Sequence, residues 1–162
     1  MKKFNTKNKL TDKEIKDLVR LLKKVRLPAP YPVFIALGKS VPLIAVDLAL
    51  MPDKNHILLT YRKDEFYDNW HIPGSILRSY EPVENALKRV ARTELGITIL
   101  KKKFATYFSY LDNREYGIAL LFVVKSKSKP KDGKYFPLNK LPKNFLKVQN
   151  PEIEYLRRSF KD

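Results

Sequence analysis

The chain has 162 residues and no cysteine, and its 33 Lys and Arg against 17 Asp and Glu give a formal net charge of +16. This length suits one domain, and the lack of cysteine excludes disulfides, thiolate zinc sites and a cysteine nucleophile. No apolar run reaches the roughly 20 residues of a membrane span, and no signal peptide is recognisable. We therefore expect a cytoplasmic protein with no membrane partner.

The positive charge is concentrated at residues 1–26 and 125–149. Such charge favours an anionic partner or substrate, or is simply a solvated lysine surface. The lysines are not interleaved with the aromatic residues and glycines of an RNA-binding sheet. Nucleic acid is therefore a partner that the sequence allows but does not favour.

Residues 1–32 are predicted to form a basic helix followed by a proline-rich connector. Thr11 and Glu14 have the spacing of a capping box, and the helix is expected over residues 11–26. One face of it is apolar and carries Ile15, Leu18, Val19, Leu22 and Val25. The prolines of LPAPYP end the helix, so the main domain is predicted to span residues 33–162.

The main domain alternates between strand and helix patterns. Strands are predicted at 42–50 and 56–62, a hairpin at 103–111 and 117–126, and helices at 81–95 and 150–160. This mixture predicts an α+β domain.

One carboxylate shares the apolar face of the helix predicted at 81–95. Glu94 follows Val90 by four residues and Leu87 by seven, which places all three on one side. Buried carboxylates are rare unless they are paired or bind a metal, and the helix dipole disfavours negative charge in the last turn. Geometry alone leaves two interpretations open: a functional Glu94, or one that pairs with a surface cation.

Residues 70–97, WHIPGSILRSYEPVENALKRVARTELGI, resemble the Nudix box, whose signature is G-x5-E-x7-R-E-U-x-E-E-x-G-U with U aliphatic. Ser75 takes the first Gly position, directly after Gly74. The later signature positions then fall in register without a gap at Glu81, Arg89, Glu94, Gly96 and Ile97. The resemblance implies a Nudix fold, a mixed β-sheet between helices, with the box at 74–97 and an added N-terminal helix.

Two glutamates of the signature are replaced, by Val90 and Thr93. The GDP-mannose mannosyl hydrolase branch of the family is similar: it also lacks the Glu after the Arg and keeps the last Glu of the box. That branch also resembles this chain in VPLIAVDLAL at 41–50 and in the separation of Asp47 from Arg62. This resemblance implies a homodimer that hydrolyses a nucleotide sugar to nucleoside diphosphate and free sugar with Mg²⁺, or with Mn²⁺ in its place.

The branch also implies roles for individual residues. Glu94 is the implied metal ligand, helped by a backbone carbonyl of Gly74 or Ser75. Arg62 would balance the charge of the leaving diphosphate. Asp47 would contact the sugar or position Arg62. Without the resemblance, we would interpret Asp47 as a strand residue in an ion pair. Arg62 would be interpreted as an exposed residue at the end of a strand.

The general base and the remaining substrate contacts carry over less directly. The branch uses a His before its last helix, and Asp132 falls near that position, although Asp132–Gly133 also has the composition of a turn. An Arg of the branch maps to Ile76, and Arg78 could reach a similar place. Tyr107 and its aromatic neighbours could stack on a base or sugar, or belong to the strand core.

Two other functions stay open at this stage. The absence of the branch's His and the single remaining box Glu fit a catalytically inactive Nudix domain that binds a nucleotide or a protein partner. The positive charge fits a pyrophosphohydrolase acting on nucleoside diphosphates or RNA ends. The products formed would separate these hypotheses, since only the first gives GDP and free sugar.

Overall fold

The structure, a computed structural model, describes residues 10–112 and 116–160. The helices are α1 (Asp12–Leu22), α2 (Tyr31–Ser40), α3 (Val83–Val90) and α4 (Asn150–Ser159). The strands are β1 (Leu43–Leu50), β2 (His56–Lys63), β3 (Asp68–His71), β4 (Gly74–Ile76), β5 (Ile99–Leu111), β6 (Tyr116–Ser126) and β7 (Lys134–Pro137). No helix in the described ranges is long and apolar enough to cross a membrane.

Two sheets form the centre of the fold. The larger sheet has the order β4-β1-β6-β5, in which β1 and β6 are parallel and the other pairs are antiparallel. The smaller sheet has the order β3-β2-β7 and is antiparallel throughout. Both strands predicted before the box and the predicted hairpin are confirmed, with ends that differ by a few residues.

The larger sheet is covered on both faces, because side chains of a strand alternate between its two sides. On one side, Val46, Leu48 and Leu50 of β1 pack with the apolar face of α3. On the other side, Ala49 of β1 belongs to a second core that includes Ile153 and Leu156 of α4. The predicted α+β arrangement of a mixed sheet between helices is confirmed, and Asp47 alternates to the α4 side.

The helix predicted at 81–95 is present in two parts. The α-helix α3 ends at Val90 and continues as a π-helical turn over Ala91–Leu95, after which Gly96 has φ +65°. The predicted apolar stripe is buried at Ala86, Leu87, Val90 and Ala91. Single π-helical turns inside helices often occur at functional sites, and this one carries Glu94.

The N-terminal part differs from the sequence prediction in two ways. The capping box is confirmed, since the Glu14 N–H donates to the Thr11 hydroxyl and the Thr11 N–H to the Glu14 carboxylate. However, α1 ends at Leu22, and none of its residues is buried, so its apolar face does not join the core. The second helix, α2, was not predicted, because the prolines at its start resemble a connector although proline is well tolerated in a first turn.

Candidate functional site

Arg89 holds the loop between β4 and α3 in place. Its guanidinium donates two hydrogen bonds of 2.8 Å to the Glu81 carboxylate, one to the Ser75 hydroxyl at 3.1 Å and one to the Ile76 carbonyl at 3.1 Å. The hydrogen bonds from Arg89 lower the pKa of Glu81 to about 2. The Arg and the first Glu of the box signature therefore act as a structural pair, and they fix the segment that contains Gly74 and Ser75.

Gly74 lies where a side chain could not fit. It pairs with Asp47 across the β1–β4 ladder, and a Cβ added at Gly74 would lie 1.7 Å from the Asp47 Oδ1 atom and 2.8 Å from the Val46 carbonyl oxygen. The Gly74 N–H also donates to the Glu94 carboxylate. The glycine thus brings the main chain between two carboxylates, one from β1 and one from the π-helical turn.

Asp47 is 6% exposed, and α4 provides its partners. The Gln149 side-chain nitrogen donates to Asp47 Oδ2 at 3.4 Å and to the Ile72 carbonyl at 3.3 Å, while the Ile72 N–H donates to the Gln149 side-chain oxygen at 2.8 Å. Burial raises the pKa of Asp47 to about 6, and hydrogen bonds from Glu152 and Gln149 partly oppose that effect. Asp47 is therefore ionised at neutral pH.

Glu152 is the second acid of this pair and is 2% exposed. Burial, the negative charge of Asp47 and the hydrogen bond that the two side chains share raise the pKa of Glu152 well above the usual range. Its Oε2 atom has no hydrogen-bond partner among the described residues. A buried oxygen without a partner costs about 1–3 kcal/mol, and Glu152 lines the cavity described below, where a ligand can supply that partner.

Glu94 is half-buried, and the structure brings it close to Asp47. Burial raises the pKa of Glu94 to about 7, and the nearby charge of Asp47 adds to this effect, whereas the hydrogen bond from Gly74 and the charges of Arg89 and Arg62 lower it. A buried carboxylate whose pKa is raised further by a second carboxylate is an arrangement that a cation would stabilise.

The residues fit a Mg²⁺ or Mn²⁺ ion bound together with substrate. Within the described residues, no three His, Asp or Glu side chains are placed so that they alone could hold a metal. Mg²⁺ in phosphate-handling enzymes often uses one or two carboxylates together with substrate phosphates and water. Glu94 can supply one such carboxylate. Asp47 lies beside this carboxylate, and the main chain of Gly74 or Ser75 can add a carbonyl oxygen, since the Ser75 hydroxyl already accepts from Arg89.

A cavity of about 380 Å³ opens above these acids. Arg62 and Arg78 line it, as predicted for substrate contacts, together with Asp47, Gly74 and Ser75. The Arg62 guanidinium donates to Asp64 at 2.5 Å and lies 4.5 Å from the centre of the Tyr67 ring. Its side chain is 45% exposed, so its charge can be reached from solvent by a phosphate group.

Three predicted site residues lie outside this lining, namely Glu94, which is behind Gly74, and Asp132 and Tyr107. Asp132 is exposed, and its carboxylate accepts the Gly133 N–H at 2.6 Å in a turn where Gly133 has φ +95°. Tyr107 is 65% exposed, whereas Phe108 and Tyr110 line the cavity. The alternation of side chains along a strand explains why the site takes Phe108 and Tyr110 but not Tyr107, whose side chain is on the opposite face.

His71 lines the cavity but both of its ring nitrogens are occupied. Nδ1 lies 2.9 Å from the Ile72 carbonyl oxygen, to which it can only donate, and Nε2 lies 3.2 Å from the Thr60 hydroxyl. Burial lowers the pKa of His71, so the ring is neutral at neutral pH. His71 is therefore a poor candidate for a general base.

Sequence reasoning missed Gln149 and Glu152. Glu152 precedes Ile153 and lies four residues before Leu156, so it borders the apolar stripe of α4 in the way that Glu94 borders that of α3. The same rule that marked Glu94, a carboxylate on a buried helical face, could have marked Glu152. Gln149 has no comparable signal, because its role depends on the position of Ile72.

Comparisons with known proteins agree with this architecture. A MutT Nudix hydrolase from Burkholderia pseudomallei superposes with a TM-score of 0.65 at 24% identity, over 71% of this chain and 98% of that one. An ADP-ribose pyrophosphatase from Methanocaldococcus jannaschii is 27% identical over 125 residues, which are 72% of this chain and 74% of that protein. The low-salt glycan biosynthesis protein Agl8 from Haloferax volcanii is 30% identical over 82 residues, about half of each chain at 49% and 52%.

The family itself is shown by a match along the sequence. The sequence model of the NUDIX domain matches residues 41–158, which is well over half of the chain and includes the box, β1 and α4. The family predicted from residues 70–97 is confirmed. This protein belongs to the Nudix family.

Proposed function

We propose that this protein hydrolyses a nucleotide sugar of the GDP-mannose kind to a nucleoside diphosphate and free sugar. The observation that carries the proposal is that Asp47 and Gly74 line one cavity together with Arg62 and Arg78, while Glu94 lies directly behind Gly74 and accepts its N–H. Carboxylates suit a metal and a general base, and guanidinium groups suit a diphosphate. A metal bound there would neutralise the charge that develops on the leaving diphosphate.

Asp47 is the residue that we assign as general base, in place of Asp132. It lines the cavity, is ionised at neutral pH and is held in one orientation by Glu152 and Gln149. Asp47 would take a proton from a water molecule as its oxygen bonds to the sugar carbon. The bond from that carbon to the phosphate oxygen breaks, and the nucleoside diphosphate leaves with the electron pair.

Arg62 and Arg78 would bind the diphosphate. Arg62 is partly exposed at the cavity, and the main-chain N–H of Arg78 donates to Glu81 at 2.9 Å, which fixes the backbone from which its side chain extends. Fixed positive charges stabilise a leaving group most when they need not reorganise during the reaction. Loss of either guanidinium should therefore reduce turnover while the fold is kept.

The relatives support a nucleoside diphosphate derivative as substrate and also favour a second reaction. Agl8 is named for glycan biosynthesis, which agrees with a sugar-containing substrate. The Methanocaldococcus relative is an ADP-ribose pyrophosphatase and is similar over a larger part of this chain. Attack at phosphorus, which yields a nucleoside monophosphate and a sugar phosphate, is therefore the second candidate.

The test is a product assay in ¹⁸O-labelled water. The protein is incubated with Mg²⁺ and either GDP-mannose or ADP-ribose, and the products are separated and weighed by mass spectrometry. Label in free mannose, with unlabelled GDP, is the expected result. Label in a phosphate group of GMP, AMP or a sugar phosphate would replace this reaction by the second candidate.

Variants assign the residues in the same assay. Asp47→Asn and Glu94→Gln should each lower turnover at least 100-fold, while Asp132→Asn, a matched removal of an acid outside the cavity, should leave it within about twofold. The reverse order for Asp47 and Asp132 would return the base to Asp132. A folded protein that binds nucleotide but turns over neither substrate would be the inactive Nudix domain considered above.

A further inference from the structure

One wall of the cavity comes from residues that precede the matched Nudix region. The family match begins at residue 41, but the connector residues Leu27, Pro28 and Ala29 and the α2 residue Phe34 all line the cavity. The connector was predicted to be a spacer between a helix and the domain. In the structure it is part of the site.

The wall is fixed to the rest of the site at several points. The Leu27 N–H donates to the Ser79 hydroxyl at 2.8 Å, and the Ser79 N–H donates to the Leu27 carbonyl at 3.3 Å. Ser79 lies in the loop that Arg89 holds, two residues before Glu81. At the start of α2, the Tyr31 ring stacks on Phe66 with ring centres 4.9 Å apart. The wall is therefore held against both the box loop and the β2–β3 connection.

The wall offers an apolar surface and no free main-chain donor at its start. Both main-chain polar groups of Leu27 are used by Ser79, and Pro28 has no N–H to donate. A sugar carries hydroxyl groups around its ring, and each would lose its water partners against such a surface. A nucleobase has flat faces with little polarity and binds well against apolar and aromatic side chains.

We propose that the connector wall, defined as Leu27, Pro28, Ala29 and Phe34, seats the nucleobase of the substrate. The inference rests on the proposed use of a nucleotide at this cavity, but not on turnover. A nucleotide would then bind more tightly than pyrophosphate, and the N-terminal segment would provide the difference in affinity. The arginines and carboxylates that line the same cavity are then left to the diphosphate and the sugar.

The test compares equilibrium binding of GDP, ADP and inorganic pyrophosphate by calorimetry, in the full chain with Mg²⁺. Leu27→Ala and Phe34→Ala should each weaken the better-bound nucleotide roughly tenfold and change pyrophosphate affinity by less than about twofold. Leu21→Ala is the matched control, because it removes the same atoms from a residue of α1 that is 51% exposed and is not part of the wall. Thermal unfolding of each variant checks that the fold is kept.

Ser79→Ala provides a second and milder change. It removes the hydroxyl that holds the Leu27 N–H, so it should weaken nucleotide binding in the same selective way without shortening any wall side chain. Equal losses for nucleotide and pyrophosphate, or no loss in any wall variant, would overturn the proposal, as would a parent chain that binds neither nucleotide better than pyrophosphate. A selective loss in a chain without hydrolytic activity would uphold the wall and reject only the proposed reaction.

Discussion

Glu94 and Glu152 both lie near Asp47, and all three acids have raised pKa values. Each is therefore less easily ionised than in the unfolded chain. Burial is the first cause for Asp47, for Glu94 and for Glu152. An acid whose pKa is higher in the folded state takes up protons on folding. Its stabilising contribution to the free energy of unfolding is fully present at pH values below its pKa in the unfolded chain. That contribution is lost as the pH rises through its pKa in the folded protein. Ionisation of these acids at neutral and alkaline pH therefore lowers the free energy of unfolding.

We expect Glu94→Gln to stabilise the protein at alkaline pH. The variant keeps an acceptor for the Gly74 N–H but removes a charge that burial and Asp47 disfavour. Because the pKa of Glu94 is raised from 4.5 to about 7, the gain should grow between those pH values and reach roughly 3 kcal/mol above pH 7. Urea unfolding at pH 4 to 8.5 measures it.

The control for this prediction is Glu154→Gln, which changes an exposed acid of α4 that pairs with Arg158 at 3.6 Å. It should alter the free energy of unfolding by less than about 0.5 kcal/mol at every pH. A Glu94→Gln protein that is less stable than the parent at pH 8 would contradict the electrostatic account of Glu94.

The element that positions the site is the loop between β4 and α3, and one ion pair holds it. Arg89 and Glu81 are only 13% and 12% exposed, and Arg89 also reaches Ser75 and Ile76. Removing one partner of a pair this well buried leaves the other charge without compensation. Substitution of Glu81 should therefore lower the free energy of unfolding more than substitution of an exposed acid of α3.

We expect Glu81→Gln to lower the free energy of unfolding by about 3 kcal/mol at neutral pH, because Arg89 loses its carboxylate. The depressed pKa of Glu81, about 2 against 4.5, means that its stabilisation is present above pH 4.5 and is lost as the pH falls toward 2. Parent and variant should therefore converge over that range in urea titrations.

Glu84→Gln is the matched control in the first turn of α3, since Glu84 is 55% exposed and pairs with Lys102 at the surface. A cost of less than 1 kcal/mol is expected for it. If both variants cost the same, the Arg89 pair would be an ordinary surface contact.

At the scale of the whole molecule, stability resides in two cores on opposite faces of the larger sheet. Leu87 of α3 is fully buried in one of them, whereas Leu18 of α1 is 44% exposed. Leu87→Ala should cost about 2–5 kcal/mol, and the same change at Leu18 less than about 0.5 kcal/mol. Chemical denaturation of both variants measures the difference. A cost above 1 kcal/mol at Leu18 would mean that α1 packs on the core in solution.

Local sequence patterns determined much of this protein. Periodicity predicted the strands, the buried stripe of α3 and the capping box of α1, because each depends on residues only a few positions apart. The spacing of the box residues determined the family, and in the structure Arg89 pairs with Glu81 while Glu94 accepts the Gly74 N–H. A local pattern shows that a face is apolar, but not whether anything covers it, as the exposed face of α1 demonstrates.

Only the tertiary structure decided what surrounds Asp47. Gln149, 102 positions away and directly before α4, donates to it, and Leu27 joins the cavity through Ser79, 52 positions away. These contacts depend on how separate elements are packed, and on hydrogen bonds that become strong only when burial removes competing water. The sequence by itself therefore determined the family and the residues of the box. The packing of α4 and of the connector against the sheet decided which acids line the cavity and what closes it, because burial there is a property of the assembled fold.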